Sequence, residues 1–509
     1  MLQPSKTYKR GLKQTVDWKL VICYLLLVFI GWLNIYASVH SSNPATIFDW
    51  SVRSGKQFIW MLTSFGLATL ILFVLNPRFW EAVSIPSYIF VGLLLILVIF
   101  VSNDVKGSHS WFELGPVKFQ PAEISKITTS LLLAATMSKP NFKLSNMRDF
   151  ITVALIIGLP MLTIVAESET GSALVYIGFM FVLYREGLSG WLLVIVGMCI
   201  LLFILTLTQS PYTSIIVLLT MVTLFYSLET KNGKKWITAC GLPLLLLALL
   251  PKLWGAICEA LIPGSSLLGT VDASVAGAIV ADNKWAFLLK FKPMYLLLGL
   301  CACILPVAAF RAYRDKHTYL WVALGSFLLG IILTFSTEFI FDNVLQDHQR
   351  GRIEVLLGMK EDPSGLGYNV NQSKIAIGSG GFAGKGFLHG TQTTYGFVPE
   401  QSTDFIFCTV GEEWGFIGCA VVILLYAFMI MRIISNAERS REAFTRIYGY
   451  CVASCIFMHL FINVGMTIGL MPVIGIPLPM LSYGGSSLWA FTILIFIFIA
   501  LDREEKKYF

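Results

Sequence analysis

Residues 358–413 read GMKEDPSGLGYNVNQSKIAIGSGGFAGKGFLHGTQTTYGFVPEQSTDFIFCTVGEE, the one long polar, glycine-rich segment in a chain otherwise built of apolar runs. Asp362-Pro363 followed by Gly365 and Gly367 is turn chemistry, and Ser379-Gly380-Gly381 with Gly384 and Gly386 lets backbone approach a ligand or another segment closely. There is no GxxxxGK[ST], and Lys385 is not followed by a hydroxyl residue, which argues against a nucleotide P-loop. Asp362, Asn371, Gln372, Lys374, Lys385, Gln392, Asp404, Glu412 and Glu413 crowd a stretch that a plain connector would not need to charge so heavily. Ile375, Ile377, Phe387, Leu388 and Phe397 argue against disorder, so the segment reads as structured and functional. Two shorter polar islands are placed to meet it, GSHSWFELGPVKFQPAEISK at 107–126 and GLMPVIGIPLPMLSYGGSS at 469–487.

Around these islands the chain of 509 residues is 56% hydrophobic and only 13% charged, with a mean hydropathy of +0.74. A water-facing globule is excluded, and the fold class is an all-α polytopic membrane protein. Apolar runs near 18–38, 57–75, 84–102, 122–138, 149–166, 171–185, 189–208, 212–228, 237–253, 294–312, 318–341, 404–432, 449–471 and 485–502 predict about fourteen transmembrane helices. Within 149–185 and 189–228 the breaks GLSG and TLTQSPYT read either as true ends or as kinks. The basic N-terminus reads as an uncleaved signal anchor. With that end inside, about 23 of the 37 Lys and Arg residues fall on interior loops, which orients the chain and puts 358–413 outside. The net charge of +7 is absorbed by this topology and calls for no nucleic acid. Ten cysteines lie mostly in apolar runs and suggest neither disulfides nor zinc. The chain reads as one membrane domain, 1–509, with a loop at 254–292 that is either a cap or re-entrant and a large structured loop over 342–403.

The islands carry their own chemistry. Pro121 suits a helix start, Glu123 favours the dipole there, and Lys126 at i,i+3 can pair with it, either as an interfacial ion pair or as a functional charge. Glu167 and Glu169 read as a polar external turn. The prolines and glycines around Ser482 break a would-be helix, which suits a groove wall open to membrane lipid. His109, His348 and His389 share no ligand spacing, while an external carboxylate cluster offers oxygen ligands to a divalent cation such as Mg or Mn. No other cofactor is called for.

In this order the islands resemble the SEDS (FtsW/RodA/SpoVE) family of cell-wall polymerases, nearer its RodA branch. The matching text is GSHSWFELGPVKFQPAEISKI, ESETGSALV, EDPSGLGYNVNQSKIAIGSGGFAGKGFLHGTQTTYGFVPEQSTDFIFCTVGEEWGFIG and GMTIGLMPVIGIPLPMLSYGGSSL. The resemblance implies a SEDS-type helical bundle in the bacterial inner (cytoplasmic) membrane that polymerises lipid II into a nascent glycan strand on the extracytoplasmic face during cell elongation. It places the family's essential loop aspartate on Asp362 and its cavity Glu-x-x-Lys pair on Glu123 and Lys126. It implies as partners a class B penicillin-binding protein and other elongation-complex proteins. Family members are described with ten spans, so residues 186–317 read as an insertion of about four helices. Ser110 stands where the family commonly has arginine, and Glu169 where it has aspartate.

Such a polymerase needs a base for the acceptor hydroxyl and positive charge for the departing diphosphate. Asp362 is the expected base. Lys126, Lys374 and Lys385 are the expected cations, with Arg350 and Arg352 also available, and Glu123, Gln372, Gln392 and Ser482 complete the expected substrate-binding set. Two rival classes are a flippase for lipid-linked precursors, which should concentrate polar groups at mid-membrane, and a non-enzymatic scaffold, in which Asp362 would be dispensable.

Overall fold

The computed structural model describes residues 15–40, 46–102, 110–114, 117–229, 233–261, 293–314, 318–343, 345, 347–360, 365 and 367–507. Asp362, His109 and most of the 254–292 loop lie outside the described residues. The chain divides into two compact units, residues 1–190 with 351–509, and residues 191–350.

The first unit holds α1 (Trp18–Val39), α2 (Arg53–Phe73), α3 (Pro77–Val101), α4 (Pro121–Met137), α5 (Met147–Ala166), α6 (Thr170–Val175) and α7 (Phe179–Arg185). After the second unit it resumes with α14 (Tyr368–Gly380), α15 (Thr391–Thr394), α16 (Ile406–Arg439), α17 (Ala443–Thr467) and α18 (Gly485–Lys507). The second unit contains α8 (Trp191–Thr208), α9 (Pro211–Glu229), α10 (Gly233–Leu261), α11 (Pro293–Arg314) and α12 (Thr318–Asn343), and α13 (Asp347–Leu356) runs across the boundary.

Every one of the fourteen apolar runs is a helix. Among the described residues eleven helices are long and apolar enough to cross a membrane, two more, at 170–185 and 193–208, are shorter and apolar, and the fourteenth is α4, which is more polar. The two ambiguous breaks are real ends. Gly187 takes a left-handed φ of 106° after α7, and Pro211 opens α9. The first island forms a short antiparallel hairpin, β1 (Phe112–Leu114) against β2 (Val117–Phe119), with Phe112 opposite Phe119. Hydropathy carries no signal for it.

Burial ranks the helices. The apolar windows of α17 and α18 are 72% and 78% buried, against 22% for α3 and α5, so the former make the centre of the first unit and the latter its rim. Tyr24, Tyr176, Phe179, Tyr426, Tyr448, Phe491 and Phe498 fill that centre. In hydrocarbon each phenol must find a partner from the protein. Tyr24 meets Thr492 at 2.7 Å, Tyr176 meets Ser125 at 2.6 Å, and Tyr448 donates to the Leu494 carbonyl at 3.1 Å. The second unit has a smaller core of its own, built on Leu202, Ile215, Leu218, Leu297, Cys301 and Phe327.

Candidate functional site

The glycine-rich segment is a splice into a broken helix. Helix α16 departs from helical geometry at Gly415 (φ 63°, ψ −158°), which leaves backbone groups on both sides of the break without intrahelical partners. Residues 381–386 supply them. Lys385 and Gly386 donate their N–H groups to the carbonyls of Glu412 (3.0 Å) and Glu413 (2.9 Å), while Phe416 and Ile417 donate to the carbonyls of Gly381 (2.9 Å) and Phe382 (3.2 Å). The chains lie so close that a Cβ on Gly380, Gly384 or Gly415 would fall inside the 3.0 Å that real Cβ atoms keep from backbone. Of the two openings left by the sequence, the glycines serve approach to another segment.

The side chains after the splice lock it. Glu412 is fully buried and accepts from Lys385 Nζ (2.7 Å), the Thr391 hydroxyl (3.2 Å) and the N–H groups of Gln392 (2.8 Å) and Thr393 (2.9 Å). Glu413 Oε1 accepts from Leu388 N–H at 3.2 Å. Lys385 is thus engaged by a buried carboxylate, and Gln392 gives its backbone N–H to the same group.

Helix α14 presents a second arrangement. Ser373 donates to the Thr467 carbonyl at 2.8 Å, pinning α14 to the end of α17. The next residue, Lys374, is exposed, with no hydrogen-bond or ion-pair partner among the described residues, and its stem lies over Gly469, whose φ is 77°. Lys374 and Asn371 line a cleft of about 70 Å³ together with Gly367, Met471 and Arg352, which donates to the Val473 carbonyl at 2.8 Å. Burial lowers the pKa of Arg352 against the pull of Asp404. Gln372 is half-buried on the same helix.

A third group is sealed inside the bundle. Lys126, 2% exposed, donates to Glu123 Oε1 at 2.9 Å and lies 2.8 Å from His459 Nε2. His459 Nδ1 faces the Pro477 carbonyl at 3.2 Å. An ammonium only donates and a carbonyl only accepts, so the ring carries its proton on Nδ1 and accepts at Nε2. Phe491 closes the group, 5.2 Å from Lys126 Nζ and edge-on to the imidazole. One residue thereby ties α4 and α17 to the proline-broken turn. In that turn Ser482 accepts from Leu478 N–H at 2.7 Å and donates to the Thr403 carbonyl at 2.5 Å, so its hydroxyl serves the backbone.

Near this group Gln120 donates to both oxygens of Glu169 at 2.6 Å, and Ser172 donates to it at 3.1 Å. Glu167 is fully buried and neither of its oxygens has a hydrogen-bond partner among the described residues. Burial, with the Glu169 charge added, pushes its pKa up to about 8. A carboxyl whose folded pKa is raised supports the fold below its unfolded value, 4.5, and loses that support as pH rises through about 8. Glu167→Gln is therefore expected to flatten the loss of thermal stability between pH 6 and pH 9 in detergent, and an unchanged slope would rule Glu167 out as its source.

Of the residues expected from sequence, the structure brings Glu123 and Lys126 together as a buried pair, sets Lys374 on a cleft, and engages Lys385, Gln392 and Ser482 in backbone and side-chain contacts within the fold. His459, overlooked in the sequence, had a signal: it is an ionisable residue in the middle of an apolar helix. Among the described residues no group of three or more His, Cys, Asp or Glu side chains is arranged to hold a metal ion.

Fold and site together define a multi-pass membrane protein with a spliced polar loop beside a cation-lined cleft. The chain belongs to the FtsW/RodA/SpoVE family (FTSW_RODA_SPOVE, cell cycle protein), whose model matches residues 17–214 and 317–507. It is 28% identical over 496 residues to peptidoglycan glycosyltransferase RodA of Treponema pallidum (strain Nichols), covering 96% of this chain and 98% of the relative. It is 39% identical over 205 residues to peptidoglycan glycosyltransferase MrdB of Escherichia coli (strain K12), covering 38% of this chain and 55% of the relative. In fold it matches a chain of a solved peptidoglycan synthase complex with a TM-score of 0.57 at 20% identity, over 96% of this chain and 98% of the other. Thermus thermophilus rod shape determining protein RodA matches with a TM-score of 0.50 at 18% identity, over 96% and 97%.

Proposed function

We propose that this chain is a peptidoglycan glycosyltransferase that polymerises lipid II into glycan strands during cell elongation. The observation that carries this reading is the family match on both sides of residues 215–316, which takes in the whole of 358–413 and both shorter islands, together with a full-length relative named for that activity. Asp362 is the proposed base. It takes the proton from the acceptor sugar hydroxyl as that oxygen bonds to the anomeric carbon of the donor. The bond from that carbon to the diphosphate oxygen breaks with its electron pair left on oxygen, and the diphosphate remains on the lipid. Because this leaving group is stable when ionised, one carboxylate suffices where glycoside hydrolysis needs two.

The bias of basic residues supports a cytoplasmic membrane location with 358–413 on the extracytoplasmic face. Partners under this reading are lipid II, the nascent strand, a class B penicillin-binding protein and the elongation machinery. Likeness in fold to a chain from a peptidoglycan synthase complex that coordinates polymerization and crosslinking is in keeping with a crosslinking partner. In proteoliposomes supplied with labelled lipid II the wild type is expected to make polymer. Asp362→Ala is expected to lower the rate by roughly 10²- to 10⁴-fold, the usual contribution of a positioned base. Undiminished polymer from the variant removes Asp362 from the role, and label crossing the bilayer without polymer favours a flippase.

A further inference from the structure

We infer that Arg352, Asn371 and Lys374 form a diphosphate subsite, and that the diphosphate of the lipid-linked donor occupies it. The identity of the ligand rests on the glycosyltransferase reading, while the anion site itself stands on geometry.

A departing diphosphate needs positive charge that is not already neutralised. Lys126 is 2% exposed and paired with Glu123, and Lys385 is paired with a fully buried Glu412, so neither can turn to a ligand without stranding a buried carboxylate. Arg352 and Lys374 differ. Arg352 gives one N–H to the Val473 carbonyl, which holds the guanidinium in place; the Asp404 charge acts on it from nearby, but its other donors have no hydrogen-bond partner among the described residues and can turn to an anion. Lys374 has no hydrogen-bond or ion-pair partner among the described residues and lines the same cleft, with the Asn371 amide beside it.

The cleft is shaped for an amphiphile. Its remaining wall is apolar, including Leu356, Val370 and Met471, so a charged head sits beside surface suited to hydrocarbon. It is also preorganised. Ser373 anchors α14 to the Thr467 carbonyl, and Gly469 leaves room for the lysine stem, which a Cβ there would displace.

The test uses the full chain in detergent with a fluorescent farnesyl diphosphate analogue as probe, alongside lipid II polymerisation kinetics in proteoliposomes. Arg352→Gln and Lys374→Gln are each expected to weaken probe binding and raise the KM for lipid II by about 10- to 100-fold, the usual yield of a charge-assisted hydrogen bond, with kcat changed far less. Lys374→Arg should restore most of the binding, and Gly469→Ala should weaken it while leaving the charge count unchanged. Wild-type probe binding in both glutamine variants overturns the subsite. Competition by inorganic diphosphate as strong as by farnesyl diphosphate keeps the anion site and removes the lipid-linked donor as its source. Equal competition by phosphatidylglycerol vesicles overturns the diphosphate assignment. A wild type that makes no polymer but loses probe binding on substitution leaves the subsite standing and sinks the glycosyltransferase reading instead.

Discussion

Gly384→Ala is expected to abolish recovery of folded protein, with a destabilisation on the order of 4 kcal/mol or more, the range reached when backbone itself must move. Gly384 has a φ of 82°, a region where an L side chain is strained, and an added Cβ would strike the Glu413 carbonyl and the Trp414 backbone. Those atoms cannot yield cheaply, because the Glu412 and Glu413 carbonyls accept from Lys385 and Gly386 to replace the bonds that α16 loses at Gly415. Moving the loop away leaves four backbone groups unpaired at the break, each costing about 1–3 kcal/mol if it stays buried. Gly415→Ala should behave in the same way, since its Cβ would meet the Gly384 nitrogen. Gly92→Ala and Gly158→Ala, on α3 and α5 with open space around them, serve as controls and should shift stability little. Thermal unfolding followed by size-exclusion chromatography separates the outcomes. A Gly384→Ala protein as stable as the controls would show that the splice does not hold the loop.

The helices are legible in the sequence because a spanning segment must bury its own backbone hydrogen bonds and keep its side chains apolar, which writes each one as a run of hydropathy. The splice is half legible. Glycine spacing at 380, 381, 384 and 386 announces a close approach, but the partner, a break at Gly415 inside an apolar run, looks like ordinary helix. The charged residues divide for a similar reason. Sequence density counts Lys374 and Lys385 alike, and only packing separates a lysine clamped by Glu412 from one over Gly469 with no partner among the described residues. Asn371 and Lys374 are neighbours on α14, but Arg352 joins them through the turn after α17, whose Val473 is about a hundred residues further along the chain, which no local pattern encodes. Glu167, read as part of a polar external turn, is fully buried, and nothing in the local sequence announces that burial.

Lys126→Met is expected to cost about 3–5 kcal/mol, the penalty for stranding one partner of a buried ion pair. The ammonium is the charged partner of Glu123 and the donor to His459, and Phe491 covers both, so its loss leaves a carboxylate and an imidazole nitrogen facing an apolar wall. Glu123 Oε2 has no hydrogen-bond partner among the described residues, so the carboxylate has little else there to hold its charge. Removing both charges should be gentler. Glu123→Gln with Lys126→Met is expected to recover a large part of the loss, giving a coupling energy of about 2 kcal/mol or more, near the top of the range for residues in one network. A strictly additive cycle would mean that the pair is solvated in the working protein. The same double variant separates two roles for Lys126. Sealed at 2% exposure, it cannot touch a lipid headgroup in this conformation, so polymer made per folded molecule should return along with stability. A stable double variant that polymerises nothing would put Lys126 against the substrate, and would require α4 and the proline turn held by His459 to part during the cycle.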